Sequence, residues 1–190
     1  MGNEGVEAVW AEWGRLTRFL ISTRTAYTRE IQDLRSFRGN TTVSADGPSI
    51  PLSEYLAALA DTEILHASVL FHTYALAEAA AAAELGTEVR HLEGIEVWGN
   101  ELLTAAGASW DEIDGGKLGA VEAAVARNAV AHGSRRVDSL AAKRLRKAGS
   151  TESKDGDVIE LDYETVQRHR KRLKLLLNAG GIRRSPAPQN

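Results

Sequence analysis

No cysteine occurs among the 190 residues. That excludes a disulfide scaffold, a thiolate metal site and a thiol nucleophile, and it suits a reducing cytosol, so a cytoplasmic protein is expected. No apolar run approaches the roughly 20 residues that a membrane span requires, and no membrane partner is expected. The opening Met-Gly-Asn-Glu-Gly is polar and acidic, unlike a secretory signal, and Val6 spoils a myristoylation pattern. A Gly-x-x-x-x-Gly-Lys loop is missing, and the glycine-rich spots lack the strand-before-helix setting of a dinucleotide fingerprint. No serine lies in a nucleophile-elbow context, and no repeat is visible. No cofactor is expected.

Hydrophobic residues make up 43% of the chain, enough for a core. The length suits one domain, expected over residues 1–180, with a flexible tail over 181–190. Net charge is −3 but unevenly spread: residues 1–95 carry 7 Lys+Arg against 13 Asp+Glu, and residues 96–190 carry 16 against 13. Basic residues bunch at Arg135, Arg136, Lys143, Arg144, Arg146 and Lys147, and again at Arg168, Arg170, Lys171, Arg172 and Lys174. A charge run is most often a solvated helix face, yet a basic surface can also concentrate a polyanion.

Apolar spacing predicts an all-α chain, a bundle of four to five main helices. The first helix is expected over about 4–38, with Trp10 and Trp13 as core or interface anchors and Arg15, Arg18, Arg24, Arg29, Arg35 and Arg38 on its other faces. Gly39-Asn40-Thr41-Thr42 and Asp46-Gly47-Pro48 mark a loop over 39–50. A second long helix is expected over 51–85, ending in an Ala-rich stretch before Gly86, with His66 and His72 as core or interface residues. A shorter helix follows over 95–106, then a capping box at Ser109 to Glu112. The turn Asp114-Gly115-Gly116 leads into a helix over 117–132, and a basic helix is expected over 135–148. A polar turn over 149–157 and a short extended piece at 158–161 precede a last helix, capped by Asp162 and ended by Gly180, on which His169 is expected to be exposed.

The stretch Glu122 to Gly133 organises the functional reading. On a helix, Val121, Ala124, Val125, Asn128 and His132 share one face, and Gly133 suits the left-handed position that ends many helices. Asn128 and His132 are neighbours on that face, whereas Arg127 and His132 diverge by about 140°. Arg offers planar, permanently charged donors to phosphate oxygens, and His moves a proton near neutral pH. The set suits phosphodiester chemistry. The plainer reading is a surface Arg, a satisfied Asn and a helix-ending His.

Arg127-Asn128, three residues, then His132-Gly133, late in an all-helical chain, resembles the motif of ribonuclease-type HEPN domains. The strict match covers six residues, and the helical layout extends it loosely. The resemblance implies a dimeric helical bundle in which two Arg and two His line one composite cleft. It implies metal-independent RNA cleavage by attack of the 2′-hydroxyl on the adjacent phosphate, leaving a 2′,3′-cyclic phosphate. The catalytic residues would be Arg127, Asn128 and His132, with substrate binding by Arg135 and Arg136. Many such domains are toxins in toxin–antitoxin or phage-defence systems, so RNA, a second copy of the chain and a cognate antitoxin, nucleotidyltransferase-like or other, are the expected partners. Whether such a partner modifies the site, for example by nucleotide transfer onto a nearby tyrosine such as Tyr163, is not readable from the sequence.

Some domains with this motif are not nucleases. The alternative is a non-catalytic HEPN-like dimer that binds nucleotide, RNA or a partner protein; a third reading is a toxin whose target is not RNA. Two Glu-x-x-His spacings, Glu63 to His66 and Glu88 to His91, also suggest a di-metal carboxylate site. Their closeness and the Gly86 break argue against it, and no metal site is expected.

Overall fold

The computed structural model describes residues 2–37, 41–44, 47 and 49–183. Arg38, Gly39, Asn40, Asp46, Pro48 and residues 184–190, for which a helix end, a loop and a tail were expected, lie outside the described residues. The described residues form α1 (Asn3–Leu34), β1 (Thr42–Val43), β2 (Ile50–Pro51), α2 (Leu52–Ala60), α3 (Glu63–Leu85), α4 (Ile95–Ala105), α5 (Gly116–Ala131), α6 (Ser139–Lys147) and α7 (Tyr163–Ala179). The class is mostly helical, as expected. The two strands pair antiparallel, Thr42 with Pro51 and Val43 with Ile50, so part of the expected loop is a small hairpin.

The second long helix is in fact two. The break falls at Asp61-Thr62, where the Asp61 carboxylate accepts a hydrogen bond from the Glu63 amide at 3.1 Å and starts α3. Ala and Leu on both sides hid that break in the sequence. α3 ends as anticipated at Gly86, in the left-handed region at φ 66, with Thr87 N–H returning to Ala82 O.

α5 is central and packs against α3, α4, α6 and α7. Ala120, Ala123, Ala124 and Ala126 of α5 and Ala77, Ala80 and Ala81 of α3 are buried, and such thin side chains let helix backbones approach. Larger residues fill the remainder, with Trp98, Leu102, Leu173, Leu176 and Leu177 fully buried. Each such side chain contributes about 1.5–3 kcal/mol relative to exposure. Trp10 and Trp13 are also core residues, their rings tilted 55° and 5.6 Å apart.

Three further expectations are corrected. The helix expected from 135 begins at Ser139, because residues 135–137 pair with 156–159 in a short antiparallel bridge and Asp138 caps the helix through Ala141 N–H at 2.7 Å. His169 is buried rather than exposed, as is Arg170, because α7 turns the stripe Val166, His169, Arg170, Leu173, Leu176 and Leu177 inward. Residues 181–183 remain part of the packed domain, with Ile182 fully buried and Arg183 Nε donating to Asn178 O at 3.0 Å. No helix among the described residues is long and apolar enough to cross a membrane.

Candidate functional site

α5 delivers the motif at its C-terminal end. His132 is the capping residue at φ −92, and Gly133 at φ 65 allows Ser134 N–H to reach back to Ala129 O. The chain then leaves the helix sharply and returns along the 156–159 segment. Arg135 itself sits at φ 48, a strained conformation for a side chain of this size.

A cleft of about 380 Å³ opens beside this end of α5. Asn128 and His132 line it from the helix, Ser134, Arg136 and Asp138 from the following segment, Arg144 from α6, and Asp155 and Gly156 from the returning loop, over a floor that includes Val125, Val137 and Ala141. His132 is exposed and Asn128 half-buried. Arg136 is fixed by donating from Nη1 to Gly156 O at 2.7 Å. Arg144 is clamped by Glu96, Nε to Oε1 at 3.0 Å and Nη2 to Oε2 at 2.7 Å. Burial pushes the Glu96 carboxyl up, but the hydrogen bond and charge of Arg144 outweigh this, so its pKa lies below the ordinary carboxylate range.

Arg127 does not line this cleft. It lies on the seam with α3, with its guanidinium carbon 5.2 Å from the Phe71 ring centre and 5.3 Å from that of Tyr74, and Nη2 at 3.6 Å from Glu78. Nη1 donates to Asn128 Oδ1 at 2.8 Å. Asn128 therefore touches Arg127 on the seam and shares the cleft with His132, whose backbone N–H donates to Asn128 O at 3.0 Å. Burial raises the Glu78 pKa against the opposing pull of Arg127, and burial together with the Glu78 charge raises that of Tyr74.

The two arginines expected to bind substrate part company. Arg136 shares the cleft with His132, whereas Arg135 reaches Glu63 at 2.5 Å and borders two other pockets. Tyr163 also lies away from the cleft, in a pocket of about 710 Å³ beneath Arg24, whose guanidinium stacks 3.7 Å from its ring centre. His66 is buried, as expected, with Nδ1 at 2.8 Å from Leu161 O, while His72 is exposed on α3 rather than in the core. The Glu-x-x-His pairs do not converge: Glu63 binds Arg135 and Glu88 binds Arg90. Among the described residues no group of three His, Asp or Glu side chains could hold a metal ion.

Glu78, Glu96 and Asp155 were not singled out from the sequence. Glu78 left a trace, as the one charged residue within the Ala-rich run 75–83. The pairing of Glu96 with Arg144 crosses 48 positions, and nothing in the sequence announces it. The molecule so described is a helical bundle with a mixed-charge cleft at the end of its central helix. The chain matches no family model, and no curated protein or solved structure matches it either.

Proposed function

We propose that the chain is a metal-independent endoribonuclease of the HEPN type, acting as a dimer, and a toxin or phage-defence effector in its cell. The observation that supports this most is the link through Asn128, which holds the Arg127 guanidinium at 2.8 Å and lines one cleft with His132. In this reading His132 carries the proton between the attacking 2′-hydroxyl or the leaving 5′-oxygen and solvent. Arg127, which lies on the α3 seam and outside this cleft in the single chain, is assigned the charge that builds on the phosphorane in the dimer, where two motif ends would meet, the role usually worth most. Asn128 orients one or the other, and Arg136 and Arg144 hold flanking phosphates.

One imidazole does not serve easily as base and acid together, so a second copy answers a chemical need. The seam that carries Arg127 is bordered by an apolar patch on which Ile64 is 70% and Phe71 37% exposed, with Val130 alongside. A second chain seated there would cover the patch and bring two motif ends together.

A non-catalytic binding module is the second reading. It is favoured by the engagement of Arg127 with Glu78 and by the carboxylates of Asp138 and Asp155 in the cleft, which repel a polyanion.

The deciding experiment incubates the purified protein with labelled single-stranded RNA in EDTA, beside His132→Ala and Arg127→Gln. Cleavage by the wild type alone, leaving cyclic-phosphate ends, is the expected result. RNA binding without turnover would move the assignment to the binding module, and cleavage that survives both substitutions would overturn the mechanism.

A further inference from the structure

A second groove, of about 700 Å³, runs between α1 and α7 and shares no lining residue with the motif cleft. Trp10 and Trp13 form its floor, and Arg18, Lys174 and Arg183 its charged walls. No carboxylate lines it among the described residues, although the chain as a whole carries a net charge of −3. Two of the cations are held in place: Lys174 Nζ lies 5.9 Å from the Trp10 ring centre, and Arg183 Nε is tied to Asn178 O at 3.0 Å. The Trp10 indole N–H is buried without a partner.

A fourth positive charge lies beneath the wall. Arg170 is only 2% exposed, and its donors reach Thr73 Oγ1 at 3.0 Å, Thr17 Oγ1 at 2.7 Å and Trp13 O at 3.3 Å. Two of those partners, Trp13 and Thr17, line the groove, and all three acceptors are neutral. Burial lowers the pKa of this guanidinium to about 10, so it stays charged at neutral pH. A buried cation held only by neutral oxygens keeps its field, and an anion across the wall would offset it.

We infer that this groove holds the sugar–phosphate backbone of single-stranded RNA, at a site separate from the cleft. The cations come from α1, α7 and the segment after α7, a spread that suits a run of phosphates better than one phosphate. The two indoles are each 7% exposed, so the contact is with backbone rather than with stacked bases, and it does not read sequence. The low exposure also leaves no apolar wedge to enter a lipid surface. That the polyanion is RNA rests on the ribonuclease reading; the anion affinity of the groove does not. Its role would be to anchor the strand beyond the scissile bond, which favours long substrates over short ones.

The test is fluorescence anisotropy of a labelled, fully 2′-O-methylated RNA, which this chemistry cannot cleave, titrated at several KCl concentrations. The variants are Arg18→Gln/Lys174→Gln/Arg183→Gln and a control triple on other exposed cations, Arg29→Gln/Arg35→Gln/Lys143→Gln. The groove triple is expected to bind about 10-fold or more weakly, with the salt slope reduced by about 2, as three lost phosphate contacts require. The control triple should lose much less. Unchanged affinity and slope in the groove triple, an equal loss in the control triple, or binding to anionic phospholipid vesicles in place of RNA would each overturn the inference. Groove-dependent binding with no cleavage of ordinary RNA would remove the ribonuclease reading alone. Cleavage with unaltered binding by the groove triple would remove this inference alone.

Discussion

Arg127 of α5 and Glu78 of α3 face each other across the seam of two packed helices, Nη2 to Oε2 at 3.6 Å, with both side chains mostly covered. The motif arginine is thus part of the packing as well as a candidate for chemistry. Truncation to Ala would strand Glu78 at a half-buried position and remove the ring contacts to Phe71 and Tyr74. Arg127→Ala should therefore cost about 1–2 kcal/mol, while Glu78→Gln, which keeps a polar partner of the same shape, should cost less than about 1 kcal/mol. Urea melts of both variants check this. Equal losses would mean that the ion pair, rather than the arginine's packing, is what matters. Arg127→Gln, which keeps a polar side chain on the seam, is the fairer probe of cleavage.

His132 stands in contrast. It caps α5, is exposed, and lines an open cleft. His132→Ala should change stability by no more than about 0.5 kcal/mol, as surface substitutions do, while abolishing RNA cleavage. A thermal melt beside the cleavage assay separates the two effects; lost activity together with a large loss of Tm would leave His132 without a chemical role.

Gly180 reads from sequence as a helix-ending glycine, needed for its backbone freedom. Its φ is −75, which any residue adopts, and the left-handed position is taken by Gly181 at φ 90. What Gly180 supplies is space: a Cβ there would overlap Leu102 Cγ and lie 2.5 Å from Leu102 Cδ2, in the fully buried core. Gly180→Ala should therefore destabilise by about 1–3 kcal/mol through overpacking, against a backbone gain of about 0.4–1 kcal/mol. A Gly180→Ala/Leu102→Ala double variant tests the cause, since the second change removes the overlap. A double variant no more stable than the sum of the two single losses would exclude it.

His169 is buried on α7, and burial first, then the charges of Arg172 and Arg168, lower its pKa to about 4. The unfolded chain takes up this proton near pH 6.5 and the folded chain only near pH 4, so protons favour unfolding in that window. The contribution of the neutral imidazole is complete above pH 6.5 and declines as pH falls toward 4, by up to about 3 kcal/mol. Denaturant midpoints between pH 7.5 and 5 should fall for the wild type and fall less for His169→Phe. Identical pH profiles would show that His169 is not the group responsible.

Much of this architecture was readable in advance because it is local. Apolar residues at three- and four-residue steps mark helices, and Gly86, Gly133, Asp162 and the Ser109–Glu112 box end or start them through bonds to near neighbours. The inward positions of His169 and Arg170 were legible too, since they stand three and four residues after Val166, but the surrounding basic run hid them. The break at Asp61-Thr62 was hidden in the same way by strong helix formers on both sides.

The sequence by itself determined the helical class, most helix ends, and the placement of Asn128 and His132 on one face of α5, because these follow from backbone geometry over a few residues. Only the tertiary structure decided that Arg127 turns to the α3 seam, that Arg135 and Arg136 separate, that Arg144 is held by Glu96, and that cations from α1 and α7 meet around two indoles. Those relations join residues dozens of positions apart. Their partners are chosen by which helix faces are buried against one another, and no local pattern encodes that choice.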